Sequence, residues 1–165
     1  MSLAASWDTF PVNSGFVSGP VSHLDIIERP LGTFVYLAYS DAGRGSKATV
    51  LQYGISGWQA FGLLGFTPGG ASWLRLAKGL AGAPLLAFSN ASQRGWAAGA
   101  LGGGKGLAVM QYSDGSWQYL GGPAVSKGAA YHISMARSPD GTLAAAYQDV
   151  AEGGKLTVQR WSGAS

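Results

Sequence analysis

The sequence repeats itself with a period of about fifty residues, and this repetition constrains the fold more than any other feature. The clearest copy runs from Tyr131 to Trp161 as YHISMARSPDGTLAAAYQDVAEGGKLTVQRW, and two copies that share fewer of its residues precede it. The chain is therefore one domain, residues 1–165, built from a recurring unit. The repeats span approximately residues 23–72, 73–131 and 132–165, and residues 1–22 complete the last of them.

The same residue types recur in every copy at matching intervals. An aromatic residue opens the copy, a glycine follows, and a second aromatic residue then precedes an Asp or Asn. A lysine next opens an apolar run, and the first two runs lead to a tryptophan. In chain order these positions are His23, Trp73 and His132; Gly32, Gly82 and Gly141; Tyr39, Phe88 and Tyr147; Asp41, Asn90 and Asp149; Lys47, Lys105 and Lys155; and Trp58 and Trp117, with Trp7 in the same column.

Turn residues divide each copy into short segments rich in β-branched and aromatic residues, which favour strands. In the first copy these segments are SHLDIIER from Ser22, TFVYLAY from Thr33, KATVLQY from Lys47, and Trp58 to Leu63. A further short strand is predicted from Ser6 to Phe10. Because no helical period of useful length occurs, the sequence predicts an all-β fold with four short strands in each unit.

Composition limits the classes of partner. Lys and Arg number 11 against 8 Asp and Glu, and no basic cluster occurs, so we expect no nucleic acid partner. No long apolar run predicts a membrane span, and the start MSLAASWDTF lacks the features of a secretory leader. The absence of cysteine excludes disulfides and thiolate metal sites. It leaves the compartment open, with an extracellular or cell-surface location favoured.

One sequence pattern carries a family resemblance. It reads D-G-T-x-x-x-A-Y-x-D, K-x-T-V-x-x-(Y/W) and x-G-x-x-W, and is clearest from Asp140 to Asp149 and from Lys155 to Trp161. Four-stranded units of this length, with tryptophan in the outermost strand and small residues such as Ala144 to Ala146 further in, resemble the blades of a β-propeller. The resemblance covers nearly the whole chain and implies blades set around a central axis.

Three blades are too few for a ring, since propellers generally have four to eight. Two arrangements satisfy the resemblance. In the favoured one, two copies form a six-bladed homodimeric ring, and the N-terminal strand around Trp7 completes the last blade of the partner. In the other, the chain is a fragment of a longer propeller.

The motifs that suggest chemistry are incomplete. Gly99 to Lys105 has the glycines of a phosphate-binding loop, but Gly106 replaces the required Ser or Thr and a strand follows. Ser113 to Trp117, SDGSW, resembles a shortened Asp-box of sialidase-type propellers. That resemblance implies a structural role, with the Asp bonding turn amides and the Trp packing between sheets.

No catalytic set accompanies these motifs. The arginines show no cluster that would bind a carboxylate, and the eight acids lie mostly at turns, where Asp41, Asp140 and Asp149 are interpreted as turn formers. His23 and His132 lack further metal ligands. We therefore expect no enzyme activity, no metal and no cofactor.

The recurring aromatic position is the expected binding surface. In a propeller, the starts of the innermost strands share one rim with the loops after the second strands, including the insertion ASQRGWAAGALGGG after Asn90. Aromatic rings beside small polar groups suit sugars, so we expect a lectin-like, non-catalytic module whose ligand is a glycan. For the aromatic residues themselves, the alternative is packing between blades. For the module, the alternative function is a protein-interaction or structural scaffold whose rim or side contacts another chain. The candidate ligand-binding residues are His23, Trp73, His132, Asp25, Arg75, Arg94 and Trp96.

Overall fold

The structure is a computed structural model that describes residues 9, 11–28, 35–79, 82–91, 105–161 and 163. These residues form eleven β-strands in three antiparallel sheets, with short 3-10 turns at Ala42–Arg44 and Val150–Glu152. Within the described ranges, no helix has the length and apolar character that crossing a membrane requires. The all-β prediction is confirmed.

In each sheet, strands that are consecutive in the chain lie side by side. Sheet 1 contains β1 (Val21–Glu28), β2 (Val35–Asp41), β3 (Lys47–Gly54) and β4 (Gly57–Ala60). Sheet 2 contains β5 (Ala71–Lys78), β6 (Pro84–Asn90), β7 (Gly106–Ser113) and β8 (Ser116–Tyr119). Sheet 3 contains β9 (Ala130–Arg137), β10 (Leu143–Asp149) and β11 (Lys155–Trp161).

The predicted strand limits agree closely with these bounds, with one clear exception. The fourth strand was expected to continue to Leu63 but ends at Ala60. Gly62 has a φ of +90°, which takes the chain out of the sheet and into the linker to sheet 2. The expected strand from Ser6 to Phe10, with Trp7, lies outside the described residues.

Sheet 2 is packed on both of its faces. One face meets sheet 1 in a core that includes Tyr36 and Val50 on one side and Leu74 and Phe88 on the other. The opposite face meets sheet 3 in a second core. As a result every residue of β6 is buried. The first strands of the three sheets are also neighbours, because β5 contacts both β1 and β9.

Trp117 joins the first two sheets. Its indole is nearly buried, stacks on Phe66 with ring centroids 4.6 Å apart, and donates from Nε1 to the Phe61 carbonyl oxygen at 3.0 Å. The expected packing role of this tryptophan is confirmed. Asp114 is an exposed residue of the β7–β8 turn, where it and Gly115 both have positive φ, as a two-residue type I′ hairpin requires.

The linkers that lead from one sheet to the next are fixed by a repeated hydroxyl bridge. Thr67 Oγ1 accepts from the Ala48 N–H at 3.0 Å and donates to the Gly69 carbonyl oxygen at 2.8 Å. In the following linker, Ser126 Oγ accepts from the Leu107 N–H at 2.8 Å and donates to the Gly128 carbonyl oxygen at 2.7 Å. Each bridge satisfies a backbone group of the preceding sheet's third strand. The sheets are therefore joined by the same local structure each time.

Candidate functional site

The first strand of every sheet contains a β-bulge at the same position. The register shifts once along β1, once along β5 and once along β9. At the bulge the backbone is left-handed, with φ of 52° at His23, 55° at Trp73 and 51° at His132. Such a φ is uncommon outside glycine and costs free energy, and it is most strained for a bulky residue such as tryptophan. Strained positions of this kind cluster at binding sites.

The three bulges bring their side chains into one line, called the aromatic row below. The ring of Trp73 lies between the two histidines, with centroid distances of 5.5 Å to His23 and 4.2 Å to His132. His132 is exposed, and the other two side chains are half-buried. Trp73 also packs against the core between sheets 2 and 3, so His132 is the member of the row that is most open to solvent. The sequence prediction placed these three residues together, and the structure brings them into contact.

Asp25 and Arg75, also predicted for this site, bond to the backbone of the inner strands. The Asp25 carboxylate accepts from the Leu76 N–H of sheet 2 at 2.6 Å, so it links β1 to β5. Arg75 Nη1 donates to the carbonyl oxygen of its neighbour Leu74 at 2.8 Å. Through these hydrogen bonds both side chains stabilise the backbone beside the row. Arg94 and Trp96 lie outside the described residues.

The charge state of His23 follows from its surroundings. Burial, and then the positive charge of Lys105, hold the pKa of His23 below its ordinary value. At neutral pH this imidazole is therefore uncharged, with one nitrogen free to accept a hydrogen bond and the other to donate one. An uncharged ring against an indole suits a ligand that carries hydroxyl groups.

A groove of about 450 Å³ lies beside the exposed end of the row. Its walls include His132, Ser134, Tyr147, Gln148 and Leu156. It runs along the face of sheet 3 that no described sheet covers. The row thus continues into an open surface.

Asp41, Asp140 and Asp149 form turns, as the sequence predicted. Asp41 and Asp149 begin the two 3-10 turns and each accepts from an N–H two residues later at 2.9 Å. Asp140 accepts from the Thr142 N–H at 2.9 Å, and bonds from Ser138 and Thr142 lower its pKa to about 2. Over the described ranges no cluster of three or more His, Cys, Asp or Glu could hold a metal ion.

Sequence reasoning missed a second surface, which appears where repeat positions differ in exposure. Leu24 of β1 is 55% exposed, whereas Leu74 at the same position of β5 is fully buried at 0%. At the other end of the stack, Val158 of β11 is 63% exposed, whereas Val50 at the same position of β3 is 1% exposed. The first and last sheets thus each expose apolar side chains that a neighbouring sheet covers elsewhere. The signal was present in the sequence, since these positions are apolar in several copies.

No protein-family model matches the sequence, and no curated protein is significantly similar to it.

Proposed function

We propose that the chain is half of a six-bladed β-propeller, closed by pairing two copies, and that it is a non-catalytic, lectin-like module that binds carbohydrate at the aromatic row. The observation that carries the binding proposal is the recurrence of a strained, ring-bearing residue at three equivalent bulges. Each bulge turns its ring out of the regular pleat, and this re-aiming of side chains is a recurrent feature of bulges beside binding sites.

The chemistry of the row fits a sugar. The C–H face of a pyranose packs on an indole, and its hydroxyl groups bond to imidazole nitrogens and carbonyl oxygens. Trp73 supplies the indole and the two histidines supply nitrogens on either side of it. Pairing two copies would double the number of such sites on one ring, and weak sites then gain from multivalency.

The exposed apolar positions support the two-copy ring. The open face of sheet 1 carries Val21, Leu24 and Ile26, whose counterparts in β5 are buried against the preceding sheet. The open face of sheet 3 carries Leu156 and Val158, whose counterparts in β3 are buried against the following sheet. The open face of sheet 1 is therefore of the kind that packs against a preceding sheet, and the open face of sheet 3 is of the kind that packs against a following sheet. Two copies could cover both faces through the head-to-tail contacts that close a ring.

The binding proposal is tested by titrating the protein with a panel of monosaccharides and following tryptophan fluorescence. We expect a saturable change for at least one sugar, lost in Trp73→Phe because the indole is removed from the row. Trp58→Phe is the matched control, since Trp58 contacts Tyr53 at the edge of sheet 1 and not the row. An unchanged response in Trp73→Phe, or no response to any sugar in the panel or on a glycan array, would contradict the proposal.

A further inference from the structure

A pocket of about 430 Å³ lies between sheets 2 and 3, next to the end of β11. We call it the indole socket; its walls include Leu107, Val109, Leu120, Val125 and Trp161. The walls are mainly apolar, and the pocket lies between two sheets that are otherwise closely packed. A cavity at such a place forfeits contacts that its walls could make.

The same place between sheets 1 and 2 is filled by Trp117. There the indole stacks on Phe66 and donates to the Phe61 carbonyl oxygen. Backbone hydrogen bonds show which residues of the interface between sheets 2 and 3 are equivalent to those around Trp117. The Phe61 N–H donates to the Val50 carbonyl oxygen, and the Leu120 N–H donates to that of Val109.

A second backbone hydrogen bond of the linker, which also ties it to the third strand of the preceding sheet, shows the same correspondence between the two interfaces. The Phe66 N–H donates to the Ala48 carbonyl oxygen, and the Val125 N–H donates to that of Leu107. Leu120 and Val125 therefore stand where Phe61 and Phe66 hold Trp117. The indole socket is the site of a tryptophan that sheet 3 lacks within the described residues.

Trp161 does not take that role. It ends β11 opposite Leu143, and the equivalent residue of β7 is Tyr112, which pairs with Trp117 across the β7–β8 hairpin. Tyr112 packs beside Trp117, with ring centroids 5.6 Å apart. Trp161 correspondingly forms one wall of the socket, and a tryptophan from a fourth strand would lie against it.

The edge of β11 carries the matching backbone sites. In sheet 1, the linker that follows β4 returns to β3, where the Gly65 N–H donates to Thr49 Oγ1 at 2.9 Å. Thr157 of β11 repeats Thr49 within the shared K-x-T-V pattern. No described strand pairs with the outer edge of β11.

The N-terminal segment repeats the linker that uses those sites. GFVSGPVSH from Gly15 aligns with GFTPGGASW from Gly65, and Trp7 precedes it as Trp58 precedes the second segment. In a single chain, the N–H groups of Gly15 and Phe16 donate to Asn13 Oδ1 and to the Asn13 carbonyl oxygen, each at 3.0 Å. Because these bonds are local to the segment, the two N–H groups can give them up and donate to the edge of a strand instead.

We propose that the indole socket and the edge of β11 receive the N-terminal segment of a second copy of this chain, with Trp7 of that copy in the socket. This inference rests on the two-copy ring proposed above and specifies the contact that closes it. A chain cannot supply its own segment, because Tyr39 Oη donates to the Phe16 carbonyl oxygen at 2.5 Å and Asp41 binds Ser18, which fixes this segment to sheet 1. Sheet 2 lies between sheet 1 and the socket.

The first experiment measures solution mass by light scattering against 16.9 kDa for one chain. We expect a dimer whose dissociation constant rises by about a hundredfold or more in Trp7→Ala, because two buried tryptophans are lost from the interface. Val158→Pro should act likewise, since it removes an N–H from the outer edge of β11 without touching a bond to β10. Val158→Ala keeps that N–H while shortening the same apolar side chain, so it is the matched control and should weaken the dimer less than the proline variant; circular dichroism confirms that each variant folds.

Mixing the two variants gives the decisive test. Trp7→Ala retains an intact socket and edge, and Val158→Pro retains an intact N-terminal segment, so a mixed pair forms one complete contact whereas each variant alone forms none. Native mass spectrometry should therefore find mixed dimers at concentrations where each variant is monomeric. A wild-type monomer would overturn both the ring and the socket. A dimer that neither substitution weakens would overturn the socket alone, because the copies would then pair through another surface.

Discussion

Trp73 and His132 belong to different sheets, yet their rings lie 4.2 Å apart and both residues have left-handed backbone. The bulge that rotates each side chain out of the regular pleat is what allows the contact. Because the same bulge recurs at His23, the row is a property of the repeat. Backbone conformation, rather than ring packing alone, should therefore govern which residues these positions accept.

Replacing His132 by Asn or by Val separates conformation from packing. Asn tolerates a left-handed backbone, whereas a β-branched residue does not. We expect His132→Asn to unfold in urea within about 0.5 kcal/mol of the wild type and His132→Val to lose about 1–2 kcal/mol. Both should lose the sugar response. If the position existed for apolar packing, the valine variant would be at least as stable as the asparagine variant.

Much of this fold followed from the sequence because each repeat carries its own turn chemistry. Gly82 and Gly141 have positive φ, as expected of the glycines that close the first hairpin of a unit. The lysines at the start of the apolar runs do not all occupy the same structural position. Lys47 and Lys155 pair with Asp41 and Asp149 in the neighbouring strand. In sheet 2, Gly106 pairs with Asn90 instead, and Lys105 precedes the strand. Letter patterns locate strands, but only the hydrogen-bond register decides which residues correspond.

The site was predictable only in part, and the reason is physical. The spacing of the three aromatic residues placed them in one row, but the positive φ was not predicted, because histidine is only enriched in that conformation and a tryptophan such as Trp73 rarely adopts it. Asp25 was expected to face a ligand, yet its carboxylate bonds to the Leu76 N–H of the next sheet. Such a bond depends on how two sheets stack, which local sequence does not encode.

Two tyrosines at equivalent positions should respond oppositely to the loss of their hydroxyl groups. Tyr39 Oη donates to the Phe16 carbonyl oxygen, whereas the buried Tyr147 Oη lies near the Asp149 carboxylate but makes no hydrogen bond of good geometry among the described residues. We expect Tyr39→Phe to lower the free energy of unfolding by about 1 kcal/mol and Tyr147→Phe to raise it by a similar amount. Phe88 already holds this position in sheet 2, so the substitution fits the space.

Tyr147 should also lower the stability of the fold at high pH. Burial, and then the charge of Asp149, raise the pKa of Tyr147 to about 12. A folded pKa above the unfolded value of about 10 favours the protonated form in the folded state, so this contribution is lost as pH rises from about 10 through 12. Urea unfolding over that range should show a shallower loss in Tyr147→Phe than in Tyr39→Phe. Equal slopes in the two variants would contradict the assignment.

Asp41 should make the protein sensitive to acid. Burial alone would raise the pKa of Asp41, but bonds from the Ser18 N–H and hydroxyl and the Gly43 N–H, with the charge of Arg44, hold it below its ordinary value. Stability from this group is therefore complete above the unfolded pKa of about 3.9 and is lost as pH falls through the folded pKa. Asp41→Asn should cost about 1–2 kcal/mol at pH 7 and progressively less as the pH falls below 3.9.

Ser18→Ala is the companion variant for that experiment. It removes the hydroxyl donor, whose oxygen lies 2.9 Å from Asp41 Oδ2, and leaves the backbone donor in place. We expect a smaller loss at pH 7 than in Asp41→Asn and an acid transition at higher pH than in the wild type. Urea unfolding at fixed protein concentration between pH 2 and 7 measures both. A wild-type profile that is flat across this range would contradict the role of Asp41.

The hydroxyl bridges of the two linkers give a prediction about how the sheets hold together. Thr67→Val keeps the shape of the side chain but leaves the buried Ala48 N–H without its acceptor, and Ser126→Ala does the same to the Leu107 N–H. Each change should cost about 1–3 kcal/mol, because a buried donor loses its partner. The costs should add within a few tenths of a kcal/mol, since the bridges lie in separate linkers and share no hydrogen-bond partner.

Val17 holds the equivalent position in the N-terminal linker, where the third strand of the preceding sheet would be β11 of a second copy. Val17→Thr should therefore leave the stability of a separate chain unchanged but strengthen the dimer, because the new hydroxyl can accept from the partner's Leu156 N–H as Thr67 accepts from Ala48. Light scattering across a dilution series measures the change, and Val17→Ala, which offers no hydroxyl, is its control. A threonine variant that dimerises no more tightly than the alanine variant would show that residues 15–20 do not lie against β11.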